Sequence, residues 1–232
     1  MHINEFLEQM CLGELSNLYL GEQGQVELST LRRRKLIAYT NQGLKALCSR
    51  FQLVQKELII RAKDRMSLYP LRPEYSMTNG TATVKFIDDR MCDAFKGGVI
   101  KILGVFNEVG MEFPINDHQR NDSLFTPTFD TLQLTHPVED QGYSVIYQAL
   151  HPLIVDEDCG CQDFNLPPML EEALMAFVAG KVYGHMNGEA NKAVSKDHMA
   201  TFEAKCLEAG TLDMTAESAV DSHNKAETKG FV

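Results

Sequence analysis

The sequence has no long hydrophobic run, no excess of basic residues and no paired pattern of cysteines. No stretch approaches the roughly 20 apolar residues that a membrane-spanning helix needs, so we expect no membrane partner. The 232 residues include 22 Lys/Arg against 32 Asp/Glu, and a net charge of −10 argues against a general nucleic-acid binder, because duplex phosphates require a positive surface. The six cysteines are scattered, which is typical of reduced thiols rather than of a disulfide framework.

Recognisable catalytic and cofactor-binding motifs are also missing. Gly97-Gly98 lacks the Lys-Ser/Thr pair or the further glycine of a phosphate-binding loop. Asp88 and Asp89 form a carboxylate cluster that we expect in a solvated loop, because nothing selects a catalytic pair. Four histidines lie outside any nucleophile-elbow or Cys-His signature: His118, His136, His185 and His198. The sequence therefore favours a protein that is not an enzyme and has no cofactor.

The nearest approach to a metal site is Cys159-Gly-Cys161, with His151 eight residues upstream. Two thiolates bind zinc only where further ligands converge, and the usual pair of cysteines is separated by two to four residues. We interpret the segment as an acidic loop that holds no metal. A small metal-dependent hydrolase that uses His151, Cys159 and Cys161 is kept as an alternative function.

Residues 1–52 show helical periodicity. Gly43 lies within the second of two apolar stripes, where glycine costs roughly 1 kcal/mol relative to alanine in an exposed helix. That cost indicates either close packing or a local kink. The first stripe comprises Ile3, Phe6, Leu7, Met10 and Cys11, and the second comprises Leu36, Ile37, Leu44, Leu47, Cys48 and Phe51.

Residues 166–209 predict two further helices joined at Asn187-Gly188, which makes an antiparallel helical hairpin. Ala176, Gly180 and Gly184 recur at intervals of four, and small residues in such a row allow another helix to approach closely. The large side chains expected to take part in this helix packing are Leu174, Phe177 and Phe202.

Between the two helical parts, residues 53–165 change to a strand-like pattern and carry a net charge of −7. Residues 57–62 and 66–71 are expected to form consecutive strands around a polar turn, with Pro70 at an edge or a strand end. Further strands are expected at residues 81–87, 98–105, 131–134 and 144–150. The segment therefore predicts a small antiparallel β-lobe.

The last residues, 210–232, are polar and have few large apolar side chains before Phe231. Such a segment cannot by itself bury enough surface to offset its ordering entropy. It is expected to be disordered in isolation or to order on a partner. The predicted fold class is α+β: a helical bundle of residues 1–52 and 166–209, an inserted antiparallel β-lobe at 53–165, and an extended C-terminal arm at 210–232.

One basic cluster stands out, and it comprises Arg32, Arg33, Arg34 and Lys35. Consecutive helical side chains point to all faces, so the cluster cannot form one stripe along a DNA groove. Ion pairs with a neighbouring subunit or partner fit better, although a solvated helix start is an equal alternative. We take these four residues and Phe231 as candidate contacts to another subunit or partner.

Several short segments together resemble the head-to-tail adaptor proteins of tailed bacteriophages, especially short-tailed ones. In chain order these segments are Leu15–Leu18, the helix end Tyr39–Leu47, Arg50-Phe51 before a β-hairpin, the strand Ser144–Ala149, Leu166–Leu174, Phe177–Ala179, Val182-Tyr183 and the Phe202 helix. The resemblance covers roughly residues 1–209, and its most specific stretch comprises the last four of these segments, from Leu166–Leu174 to the Phe202 helix.

The resemblance implies a virion structural protein of the neck and tail, made in the host cytoplasm. Adaptors, or connectors, of this kind form a homo-oligomeric ring, generally a dodecamer, beneath the portal protein. They extend the DNA channel and dock tail nozzle or tail fibre proteins. Genomic DNA then passes through without sequence-specific binding, and an acidic wall suits this because it repels phosphates.

The long β-lobe departs from the simplest adaptors, which are nearly all helical. Tail fibres, the nozzle and neighbouring subunits are all candidate partners for this lobe. Within the same setting, a tail-completion or tail-tube protein is the first alternative function.

Overall fold

A computed structural model of the chain describes residues 2–18, 30–90, 94–156, 163–164 and 166–211. These residues contain four α-helices and seven strands in two antiparallel sheets, so the protein has the predicted α+β class. The chain divides into two compact units. Unit 1 comprises residues 1–53 and 152–232, and unit 2 comprises residues 54–151.

Unit 1 contains all four described helices and one hydrophobic core. The helices are α1 (Ile3–Leu12), α2 (Thr30–Arg50), α3 (Pro168–Gly184) and α4 (Glu189–Thr211). The apolar stripes predicted for α1 and α2 are confirmed as buried faces, apart from the half-buried Cys11. Packing of these faces excludes apolar surface from water, which is the main favourable contribution to folding.

The helical hairpin has residues that suit the beginning of α3 and the turn before α4. Pro168 begins α3, where its missing N–H needs no partner, and Glu171 lies in the first turn near the positive end of the helix dipole. Gly188 has a φ of +111°, a left-handed conformation that favours glycine, and α4 begins at the next residue.

The border between the units falls earlier than the predicted end of the lobe at residue 165. Unit 2 ends at His151 because Ile154 and Phe164 are buried in the helical core, where Phe164 meets the Phe6 ring edge-on at 5.3 Å. This border also changes the charge distribution. Residues 54–151 contain 10 Lys/Arg and 13 Asp/Glu, a net charge of −3, so much of the acidity assigned to the lobe belongs to the segment after it.

Unit 2 contains two antiparallel sheets. The larger sheet has the order β3-β1-β7-β4 and the smaller has the order β2-β6-β5. Their side chains share one core that includes Ile60, Tyr69, Leu132 and Val145. The strands are β1 (Gln55–Arg61), β2 (Leu68–Pro70), β3 (Ile87–Asp88), β4 (Val99–Asn107), β5 (Phe125–Thr128), β6 (Thr131–Gln133) and β7 (Gly142–Ala149).

The predicted hairpin of the first two strands is wrong. β1 pairs with β7 and β3, whereas β2 pairs with β6 in the other sheet. The connection is fixed instead by the Tyr69 hydroxyl, which accepts the Lys63 N–H at 2.9 Å and donates to the Met66 carbonyl at 2.7 Å. This local hydrogen bonding directs the chain out of the first sheet.

Two further strand predictions also differ from the structure. The segment 81–87 is strand only at its end, because its backbone bonds back to a 3₁₀ turn at Pro73–Tyr75, as in the Ala82 N–H to Glu74 carbonyl bond at 2.9 Å. The strand β5, which contains Pro127, lies outside the predicted strands. Proline is tolerated there since β5 lies at the edge of its sheet.

Candidate functional site

The basic cluster at the beginning of α2 forms ion pairs within unit 1. Arg33 Nε donates to Asp156 Oδ1 at 2.9 Å, and Arg34 Nε donates to Asp156 Oδ2 at 3.3 Å. Partial burial alone would raise the pKa of Asp156, but the two guanidinium groups hold it below its usual value. Arg32 and Lys35 lie on the exposed surface beside this pair. The cluster is therefore partly engaged by its own chain.

The same segment of unit 1 is attached to α2 by Asn41. The Asn41 side chain donates from Nδ2 to the Ile154 carbonyl at 2.9 Å and accepts the Ile154 N–H on Oδ1 at 3.0 Å. Ile154 is buried, whereas Leu153 and Val155 on either side of it are exposed. Residues 152–156 thus form a strap on α2, held by Asn41 and by the Asp156 ion pairs.

The predicted helix-packing residues lie where α3 meets its neighbours. A Cβ atom on Gly180 would stand 2.9 Å from Met199 Sδ, and one on Gly184 would stand 2.9 Å from Ser195 Oγ. Ser195 Oγ also donates to the Gly180 carbonyl at 2.7 Å, which links α4 to α3. The remaining predicted members are all buried: Ala176, Leu174, Phe177 and Phe202.

A further interaction that sequence reasoning missed joins the ends of α2 and α4. Arg50 makes a bidentate ion pair with Glu203, at 2.6 and 2.7 Å. Its guanidinium also lies 5.0 Å from the centre of the Phe202 ring, which in turn meets Phe177 edge-on. The pair is separated by 153 residues in sequence, so no local pattern signals it.

The carboxylates at 88–89 are not in a solvated loop, and that expectation is wrong. Asp89 is only 4% exposed and accepts hydrogen bonds from Ser76 Oγ at 2.6 Å, from the Thr78 hydroxyl at 2.5 Å and from the Phe95 N–H at 2.9 Å. Burial alone would raise its pKa, but these donors hold the pKa well below its usual value. Asp89 thus joins Ser76 and Thr78 to Phe95 and closes a loop of unit 2.

Other predicted site residues fall outside the described part of the chain. Cys159 and Cys161 lie there, as does Phe231, and so does most of the predicted arm. His151 is described and is half-buried at the end of unit 2. Within the described ranges, no group of three or more His, Cys, Asp or Glu side chains is arranged to hold a metal ion.

Unit 2 also has two exposed features that sequence reasoning missed. One is the hairpin tip, residues 107–112, in which Val109 and Met111 project into solvent. The other is an open groove of about 410 Å³ between β4 and β5, lined by Lys101, Ile102, Leu103, Ile115, Asn116, Thr126, Pro127, Thr128 and Phe129. We call the latter the edge groove.

Comparisons with protein families and with curated proteins found no match from which a function could be taken. No protein-family model matches the chain, and no curated protein matches its sequence at a significant level. Among the helices that the structure describes, none combines the length and the apolar character needed to cross a bilayer.

Proposed function

We propose that the protein is a head-to-tail adaptor of a tailed bacteriophage, a structural component of the neck. In this proposal the helices of unit 1 form a bundle, unit 2 is a β-lobe inserted into it, and residues beyond 211 form an extended arm. Copies assemble as a ring, generally twelve-fold, beneath the portal. The ring extends the DNA channel and presents a surface to the tail nozzle or fibres.

The observation that supports this proposal most directly is the contact of α2 with α3. Gly43 belongs to the segment Tyr39–Leu47, and the side chains that approach it, Leu174 and Phe177, belong to the most specific segments of the resemblance. Phe202, the last such residue, meets Phe177 at 5.2 Å. The resembling segments of α2 and of α3 and α4 thus contribute to one core, although more than 100 residues separate α2 from α3.

Charge is consistent with a conduit for DNA. The net charge of −10 repels phosphates, so a passing genome gains little by adhering to the wall. The exposed part of the basic cluster, including Arg32 and Lys35, would then contact a carboxylate-bearing surface of a portal or a neighbouring subunit.

The test is co-sedimentation of the purified full chain with the cognate portal, followed by electron microscopy of the mixture. We expect ring-shaped complexes, and we expect deletion of residues 212–232 to weaken them markedly. A tail-completion or tail-tube protein would instead bind tail components and leave the portal unoccupied. Absence of any complex with the portal contradicts the proposal, and equal binding by the truncated chain contradicts the role of the arm.

A further inference from the structure

The hairpin tip of unit 2 presents two large apolar side chains to water, and its backbone is held by hydrogen bonds. Val109 is 84% exposed and Met111 is 66% exposed. The Asn107 side chain accepts both of their N–H groups, at 3.0 and 2.8 Å, and Gly110 adopts a φ of +85° between them. A loop that is fixed in one conformation loses little further entropy when it binds, so the tip is preorganised for contact.

The edge groove lies where two sheets both have an edge. β4 ends the order of the larger sheet and β5 ends that of the smaller one. Phe129, 66% exposed, lies on its wall. In the described part of the chain, β4 has a bridge on its outer side only at Phe106, so its first half presents an open strand edge. Open strand edges and exposed apolar side chains are recurrent docking features.

The charges of the tip and the groove are complementary. The tip contains Glu108, which accepts the Gly142 N–H at 2.8 Å, and Glu112, whereas Lys101 lines the groove. Among the described residues, neither Lys101 nor Glu112 forms an ion pair. A smaller adjoining groove is lined by Glu112 and Arg120 of the same copy, and Arg120 is already paired with Asp122 at 2.7 Å. Lys101 is therefore the cation available to the tip of another molecule.

We propose that the hairpin tip of one copy docks in the edge groove of a second copy, with Val109 and Met111 against Phe129 and with Glu112 paired to Lys101. Every copy carries both surfaces, and they are different surfaces. Two copies that dock reciprocally, each tip in the other's groove, close as a dimer, whereas a copy that uses its tip and its groove with different neighbours produces a ring or a filament. This contact does not depend on the phage function proposed above, although a ring would use it.

The test is zero-length carbodiimide cross-linking of two full-length charge-reversal variants, Lys101→Glu and Glu112→Lys, with peptide mapping. Each variant alone has like charges at positions 101 and 112, and only the mixture can join a carboxylate at 101 of one copy to an amine at 112 of another. We expect that cross-link in the mixture and its loss in each variant alone. If no cross-link between residues 101 and 112 forms in the mixture, the proposal is overturned.

A second comparison addresses the apolar part of the contact. In mixtures that also carry Val109→Ser and Met111→Ser, we expect the 101–112 cross-link to be lost. The matched control is Val138→Ser, which alters an exposed apolar side chain elsewhere in unit 2 and should leave the yield unchanged. Retention of the cross-link without the apolar tip, or equal loss in the control, overturns the proposal. If another protein occupies the groove, no cross-link between copies forms. Portal co-sedimentation tests the phage function separately.

Discussion

Gly43 of α2 faces Leu174 of α3 so closely that no room remains for a Cβ atom between them. Phe177 lies in the same place, with its Cδ1 atom 3.0 Å from where a Cβ of residue 43 would stand. Both neighbours belong to the buried core of unit 1. The glycine that interrupts the apolar stripe of α2 therefore marks a close approach of two helices, and α2 remains one continuous helix through it.

Gly43→Ala should consequently destabilise unit 1 even though alanine favours helix. Overpacking costs typically about 1–3 kcal/mol, and the gain in helix propensity offsets about 1 kcal/mol of it, so we expect a net loss of about 1 kcal/mol in the free energy of unfolding. Urea denaturation followed by circular dichroism measures this. Gly210→Ala is the matched control, because a Cβ on this α4 glycine meets no atom within 4 Å.

A double variant separates crowding from other effects of the added methyl group. Leu174→Ala removes the nearest neighbour, so the extra cost of Gly43→Ala should largely disappear in that background. Additive losses in the double variant would show that residue 174 is not the source of the cost.

The sequence sufficed for the helices of unit 1 because their information is local. The i, i+3, i+4 recurrence that places Leu36, Leu44 and Leu47 on one face can be read within a few turns. The pairing in unit 2 could not be read in this way. β1 pairs with β7, with Ile59 opposite Ser144, and nothing in either strand identifies its partner across such a separation.

The candidate sites likewise depend on contacts between residues that are distant in sequence. Proximity in sequence predicted the basic cluster, whereas Asp156, which pairs with Arg33 and Arg34, lies more than 120 residues away. The doublet Asp88-Asp89 looked like a solvated loop because its donors, such as Ser76 and Phe95, approach only after folding. Side-chain chemistry was visible in the sequence, but its partners depended on tertiary structure.

Asn41→Ala should release the strap at residues 152–156. The substitution removes two hydrogen bonds to the Ile154 backbone, and unsatisfied groups of this kind cost about 1–3 kcal/mol. We expect the Ile154 amide to lose protection in hydrogen exchange, while amides of α3 remain protected. Asn41→Asp keeps an acceptor for the Ile154 N–H and should give intermediate protection; equal protection in all three proteins would contradict the role assigned to Asn41.

Asp89 should make the stability of unit 2 depend on pH. Its pKa in the folded protein is lower than the ordinary value of about 3.9, so the carboxylate contributes stability above about pH 4 that is lost as the pH falls toward the folded-state pKa. Asp89→Asn should reduce the free energy of unfolding by about 1–3 kcal/mol near neutral pH, and the difference from the wild type should shrink below about pH 4.

Urea denaturation between about pH 3 and pH 7 measures this difference directly. Asp122→Asn is the control, because the exposed Asp122–Arg120 pair should contribute little at any pH. A difference for Asp89→Asn that is the same at both ends of the pH range would contradict the assignment.

Two thiols that lie buried in the described part of unit 1 should react only after unfolding. Cys48 and Cys206 are buried, and burial raises the pKa of Cys206 although Arg50 opposes the shift. Alkylation by iodoacetamide, mapped by mass spectrometry, should therefore modify both cysteines in urea and neither in the native protein. Rapid modification of Cys206 in the native protein would show that α4 opens readily near its contact with Arg50 of α2.

Arg32→Ser combined with Lys35→Ser tests the exposed part of the basic cluster as a partner contact. Arg33 and Arg34 stay unchanged because they pair with Asp156, and their loss would confound binding with stability. The matched control, Lys192→Ser with Lys196→Ser, removes the same charge from α4. If the cluster contacts an acidic surface of the portal, the first pair should weaken portal binding about tenfold, or about 1.4 kcal/mol.

The same pair of substitutions should also reduce the dependence of binding on salt, since screening acts on the lost attraction. Equal weakening by the α4 control would instead indicate a general effect of net charge, and unchanged binding would assign Arg32 and Lys35 to the solvated surface.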